Sequence, residues 1–164
     1  MSFLLSSEAQ NLERRLLFVN DSKATNAEAS EQALKSFNEI YWIAGGVAEE
    51  GGINRLASHM QGVRHAFLIG EAAQEFSKTL DEVGVSYDVC VDLERAVKKA
   101  VEVALGNGTS GTDTTGTGTG SEAAILLSPA AASFDQYPNF EIRGDAFKDI
   151  VRSIDGVSMS ETLV

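Results

Sequence analysis

Apolar residues along this chain fall into short, nearly unbroken runs separated by stretches in which they recur every third or fourth position. The runs are Leu16 to Val19, Ile40 to Ala44, His65 to Ile69, Tyr87 to Val91 and Ala123 to Leu127. Continuous hydrophobic character of this length predicts strands covered on both faces, as in a parallel sheet; a half-exposed antiparallel strand alternates. The intervening stretches predict helices. Thr25 and Glu28 have the spacing of a capping box ahead of Ala29, Ala33, Leu34 and Phe37. Ala72, Ala73, Phe76 and Leu80 form a second stripe that ends before Gly84. Asp92 is placed to cap a third helix, Leu93 to Leu105, with Gly106 as its stop. A last helix follows Gly144, with Phe147, Ile150, Val151 and Ile154 on one side, and 51–60 reads as a short helix.

Strand and helix in alternation predict an α/β fold: a doubly wound, mostly parallel, Rossmann-like sheet with helices on both faces. Ligands of such folds sit at the carboxyl ends of the strands, which places Asp21 to Asn26, Gly45-Gly46 and Ser128 to Phe134 on the working edge. The α/β domain is expected over 16–155, after an N-terminal segment or hinge remnant, 1–15, and before a tail, 156–164. The Gly/Thr-rich stretch 106–122 cannot bury enough apolar area to offset its ordering entropy and is expected to be a flexible surface loop.

Composition narrows the function classes. The 164 residues suit one domain with a sizeable core, and the net charge of -11 opposes a nucleic-acid or anionic-membrane surface. The single cysteine, Cys90, lies in an apolar run and excludes an intrachain disulfide; it is expected to be buried and inert, which suits a reducing compartment. The first residues lack a basic n-region with a full apolar segment, so the expected localisation is cytoplasmic.

At the working edge, Lys23, Thr25 and the amides of a helix start can hold a carboxylate or phosphate, and equally suit a solvated loop. Asp21 can accept from ribose hydroxyls or orient Lys23, or simply form a turn. Ser133 can bind a carboxylate or cap a short helical turn, and the two roles are compatible. Phe134, Tyr137 and Phe140, at three-residue spacing, are expected to pack in the core or against a helix, with the Phe140 backbone still able to face a ligand, and Trp42 is expected in the core. Asn139 and Glu141 suit local loop closure, and Arg143 with Asp145 suits an exposed ion pair of little energetic weight. His59 and His65 lack coherent partner ligands, and no metal site is expected. Neither G-x-G-x-x-G nor G-x-x-x-x-G-K-[ST] occurs, which disfavours an independent dinucleotide enzyme.

The segments VNDSKATNAEAS (19–30), IYWIAGGVAEEGGI (40–53), VRHAFLIGEAA (63–73) and ILLSPAAASFDQYPNFEIRGDAF (125–147) together resemble the C-terminal domain of the Mur ligase family, in its D-glutamate-adding branch of peptidoglycan synthesis. The resemblance covers about 16–154. It implies an ATP-dependent acid–amino acid ligase that joins UDP-N-acetylmuramoyl-L-alanine to D-glutamate through an acyl phosphate. Its further implications are residue by residue: Lys23, Thr25, Ser133 and Phe140 hold D-glutamate, and Asp21 contacts ATP across a closed domain interface. ATP and Mg2+ belong to the longer enzyme; no catalytic residue, no tightly bound cofactor and no metal is expected in this chain. Without the UDP-sugar and ATPase domains the chain is expected to be inactive alone, and the resemblance leaves oligomeric state undetermined. The chain departs from the family pattern where Glu49 or Glu50 stands in place of a common lysine, and where Ala131 replaces a common cysteine. "NLERR", with Arg14 and Arg15, also differs from the usual hinge arginine. The alternative reading is a stand-alone, non-catalytic α/β binding or interaction module.

Overall fold

The structure, a computed structural model, describes residues 2–7, 14–110, 122–154 and 157–162. The five apolar runs become β2 (Arg14–Asn20), β3 (Ile40–Gly45), β4 (Val63–Ile69), β5 (Tyr87–Val91) and β6 (Glu122–Leu127), and two strands that the runs did not predict, β1 (Ser2–Ser7) and β7 (Val157–Thr162), join them. The sheet order is β5-β4-β3-β6-β2-β1-β7. From β5 to β2 all neighbours are parallel, whereas β1 pairs antiparallel with both β2 and β7. The first and last strands lie outside the stretch 16–155 to which the sequence reading assigned the α/β domain, so the sheet is mixed at one end. The expected loop at 106–122 lies outside the described residues from 111 to 121.

The helices are α1 (Ala27–Ser36), α2 (Ala73–Val83), α3 (Leu93–Ser110) and α4 (Phe140–Arg152), and a 3-10 helix spans Asn54–His59 within the short segment expected at 51–60. They cover both faces because side chains on a strand alternate. Tyr41 and Ile43 of β3 join Leu16, Phe18, Ile125 and Phe67 under α3 and α4. Ile40, Trp42 and Ala44 point the other way, to Leu34, Leu56, Phe76 and Leu80. Trp42 is core as expected, and its Nε1 donates to the Ser128 carbonyl at 2.7 Å.

Three helix boundaries differ from expectation. The cap of α1 is Asn26, whose Oδ1 accepts from the Ala29 amide at 2.9 Å, so Thr25 is left outside the helix and Glu28 falls short of the capping-box position. Helix α4 starts before Gly144, capped by Asn139 on the Ile142 amide at 2.8 Å. Gly144 sits inside it because a side chain there would press on Asn20 and Ser22, with contacts of 3.2 and 3.3 Å. Gly106 does not stop α3, since glycine weakens a helix without forbidding it. The expected ends at Asp92 and Gly84 stand: Asp92 Oδ1 accepts from the Arg95 amide at 2.9 Å, and Gly84 adopts φ 84 with its N–H on Leu80 O.

Candidate functional site

The chain runs β2, α1, β3 and on to β4 and β5, then returns along α3 to insert β6 between β3 and β2. That return brings three loops together at the carboxyl ends of adjacent strands. The Asp21 amide donates to Leu127 O at 2.7 Å and the Gly45 amide to Pro129 O at 2.9 Å. Val47 and Ala132 exchange both backbone bonds, at 2.8 and 2.9 Å. Gly46, at φ 136, makes this approach possible because a Cβ there would overlap Ala132 O.

Arg143 ties two of these loops to α4. It is only 1% exposed, and its guanidinium donates from Nε to Ser22 Oγ at 3.0 Å, from Nη2 to Ser22 O at 2.7 Å and from Nη1 to Ala131 O at 3.0 Å. Ser22 Oγ donates onward to Phe140 O at 2.7 Å, and Asn20 Nδ2 to Gly144 O at 3.2 Å. Burial pulls the guanidinium down to about 10, with Asp135 and Tyr137 opposing, so it stays charged at neutral pH. The expected surface pair with Asp145 is therefore a misreading: Asp145 lies 3.6 Å from Lys148, and Arg143 faces inward. The sequence signal that was available is the motif R-G, where the glycine lets α4 lie against Asn20 and Ser22.

The second polar edge is fastened on its other side as well. Asp135 Oδ2 accepts the Glu71 amide at 2.9 Å, and Gln136 Nε2 donates to Val91 O at 2.7 Å. Val91 holds that carbonyl at φ 73, a left-handed conformation unusual for a β-branched residue. Ser133 starts a turn, its carbonyl accepting from the Gln136 and Tyr137 amides at 3.0 and 2.8 Å. Its hydroxyl is buried without a partner among the described residues.

Of the anticipated site residues, Lys23 is exposed, Thr25 half-buried, Ser133 buried and Phe140 at the first turn of α4 with a side chain 38% exposed. The Lys23 and Ser133 loops leave neighbouring strands, β2 and β6, and both are tied to Arg143 through Ser22 and Ala131. Of the aromatic trio expected in the core, only Tyr137 packs against it; Phe134 is 73% exposed, because the turn at Ser133 points it away from the sheet. Glu49 and Glu50 line a cleft of about 330 Å³ with Asn26, Glu28, Asn54 and Arg55.

Asp21 is half-buried, with Oδ2 2.7 Å from Ser128 Oγ. Burial raises its carboxyl above the ordinary 3.8, opposed by the Ser128 hydrogen bond and then by Lys23. The native state thus holds this proton more tightly than the unfolded chain. The associated stability is present below pH 3.8 and is lost as pH rises through the folded value, so ionised Asp21 costs stability at neutral pH. Asp21→Asn is expected to raise the unfolding midpoint in urea slightly at pH 7, with the advantage fading as the pH falls toward 4.

Elsewhere, Cys90 is buried and its thiol is pushed up to about 11 by burial and Asp88, matching the inert reading. His59 lies 2.7 Å from Glu31, and His65 sits between Ser86 and Asp88, each at 2.8 Å. Among the described residues no group of three or more His, Cys, Asp and Glu side chains is arranged to hold a metal ion. No described helix is long and apolar enough to cross a membrane.

The family model described as "Mur ligase, glutamate ligase domain" matches residues 8–112. The chain is 51% identical over 143 residues to the UDP-N-acetylmuramoylalanine–D-glutamate ligase of Nitrobacter winogradskyi, covering 87% of this chain and 28% of that protein. It is 52% identical over 141 residues to the ligase of the same name from Rhodopseudomonas palustris strain HaA2, covering 86% and 28%. For the Rhizobium etli ligase the identity is 49% over 145 residues, covering 88% and 28%. The chain thus spans 28% of the length of these curated relatives. With its mostly parallel α/β sheet and its polar strand ends, the chain belongs to the Mur ligase glutamate ligase domain family, and the relatives it matches are named as UDP-N-acetylmuramoylalanine–D-glutamate ligases.

Proposed function

We propose that this chain is the D-glutamate-binding part of an ATP-dependent UDP-N-acetylmuramoyl-L-alanine:D-glutamate ligase. The observation that carries the reading is the Ser133 hydroxyl, buried and without a partner among the described residues, in a loop tied through Arg143 to the loop of Lys23 and Thr25. A buried hydroxyl without a bond costs about 1–3 kcal/mol, and a ligand carboxylate would satisfy it. Lys23 supplies a point charge for the same diacid, Thr25 a hydroxyl, and Phe140, at the capped start of α4, a backbone group.

In this reading Asp21 faces ATP, and the rest of the ligase supplies the acyl phosphate of UDP-N-acetylmuramoyl-L-alanine. The amine of D-glutamate attacks the acyl carbon, and the tetrahedral adduct collapses with loss of phosphate. This chain's part is orientation: holding both carboxylates fixes the amine against the acyl carbon and removes the entropy cost of a bimolecular encounter. Glu49 and Glu50 place negative charge on the neighbouring cleft, which weakens affinity for a dicarboxylate in the isolated domain.

Titrating D-glutamate while following backbone amide shifts tests the reading. Lys23, Thr25 and Ser133 are expected to move; movement confined to loops remote from the β2 and β6 exits would sink it. Ser133→Ala adds a sharper arm. Removing an unsatisfied hydroxyl is expected to leave stability unchanged or raise it by up to about 1 kcal/mol, while D-glutamate binding weakens about tenfold. Loss of both together would mark Ser133 as merely structural.

A further inference from the structure

Behind Asp21 lies a buried chain of hydroxyls. Ser128 Oγ sits 2.7 Å from Asp21 Oδ2 and 2.8 Å from Ser30 Oγ, and both serines are fully buried. The Ser128 main chain is held in turn: its carbonyl accepts Trp42 Nε1 at 2.7 Å and its amide donates to Ile43 O at 3.3 Å. Ser30 projects from α1, and its Oγ also lies 3.3 Å from the Ser128 carbonyl. The Asp21 main chain is fixed as well, its amide on Leu127 O at 2.7 Å and its carbonyl accepting from Ala24 at 3.0 Å.

Proton counting sets the direction of the chain. A hydroxyl has one proton to donate, and an ionised carboxylate only accepts. Ser128 must therefore spend its proton on Asp21 when Asp21 is charged, which leaves Ser30 to supply the proton between the two hydroxyls at 2.8 Å, in competition with the more distant Ser128 carbonyl at 3.3 Å. A hydrogen-bond chain of fixed polarity strengthens each member, and the low-dielectric surroundings of both serines favour it further. Only Oδ2 of the carboxylate is engaged by the described residues.

We propose that Ser128, backed by Ser30, is a positioning residue: the Ser30–Ser128 hydroxyl chain locks one oxygen of Asp21 and leaves Oδ1 to accept from donors of a ligand arriving at the strand ends. For the identity of that ligand, and only for that, the proposal rests on the reading that Asp21 faces the nucleotide. The chain also couples α1 to the carboxylate. The helix that begins beside Lys23 and Thr25 then sets the geometry of Asp21 on the far side of the same loop. The Asp21 hydrogen bond to Ser128 is the largest influence opposing its burial, ahead of the Lys23 ammonium.

The test is a carboxyl 13C titration of Asp21 in this chain with Ser128→Ala, Ser128→Cys and Ser30→Ala. None of these substitutions alters Lys23, so the cationic side chain acting on Asp21 stays constant. Ser128→Ala is expected to move the Asp21 midpoint upward, Ser128→Cys upward by less because a thiol is a weaker donor, and Ser30→Ala upward by the smallest amount. An unchanged or lowered midpoint in a natively folded Ser128→Ala chain overturns the proposal. Should that variant fail to fold, as judged by Trp42 fluorescence, an unchanged midpoint in Ser128→Cys overturns it instead. A second arm supplies the remaining ligase domains in trans and measures phosphate release. Ser128→Ala is expected to raise the KM for ATP about tenfold, as for a lost hydrogen bond to a charged group. If Asp21→Asn leaves that KM unchanged, the nucleotide role of Asp21 falls, while the titration still decides the hydroxyl chain.

Discussion

Truncating Arg143 to alanine is expected to lower the unfolding free energy by about 3 kcal/mol and to free the two site loops from each other. The guanidinium satisfies Ser22 O and Ala131 O from a position only 1% exposed. Alanine strands both buried carbonyls, at about 1–3 kcal/mol each, and opens a cavity; relief from burying the charge offsets part of that sum. Arg143→Met separates the contributions, since it refills most of the volume without restoring a donor. Its stability loss is expected to be the smaller of the two, yet it should abolish D-glutamate-induced shifts at Lys23 and Ser133 as completely as alanine does. Arg143→Lys keeps the charge, but an ammonium cannot span the two loops with a planar fork, so partial loss of both properties is expected. Urea unfolding followed by Trp42 fluorescence, paired with the amide titration, reads both. Full retention of the shifts in Arg143→Met would show that the tether does not position the site.

Gly46→Ala is expected to cost about 4 kcal/mol, in the range reserved for a backbone clash. At φ 136 a side chain is strained, and its Cβ would overlap Ala132 O and lie 3.3 Å from the Ala131 side chain. Neither obstacle can swing aside, because Val47 and Ala132 exchange two backbone bonds there. Gly51 is the control: at φ 87, with nothing within 4 Å of an added Cβ, its alanine variant pays only the left-handed penalty, about 1 kcal/mol. Thermal unfolding of the pair distinguishes close approach from backbone conformation, and equal losses would remove the role assigned to the Gly46–Ala132 contact.

Particular residues show which features were legible before folding. Ile40 to Ala44 announced a strand covered on both faces, and β3 is buried along its whole length. The polar stretches after Val19 and Leu127 were correctly placed at the sheet's carboxyl edge, and Asp92 and Gly84 marked helix ends. Arg143 was read as an exposed partner of Asp145, its near neighbour. Its actual partner Ser22 is 121 residues away, beyond any local window. Gly144 was taken as a helix boundary for the same reason: the Asn20 side chain that requires a small residue there is 124 residues distant. Phe134 carried a core spacing, but the turn at Ser133 sends it to solvent.

Periodicity in the chain was enough to specify strands, helices and the edge where polar residues gather, because Cβ directions repeat over a few residues whatever lies beyond them. The motifs after β2 and β6 likewise marked the family. Folding alone brought Arg143 between Ser22 and Ala131, aligned Ser30, Ser128 and Asp21, and left Ser133 without a partner among the described residues. Those relations depend on hydrogen-bond distances between segments far apart in the chain, and they exist only once β6 has been inserted between β2 and β3.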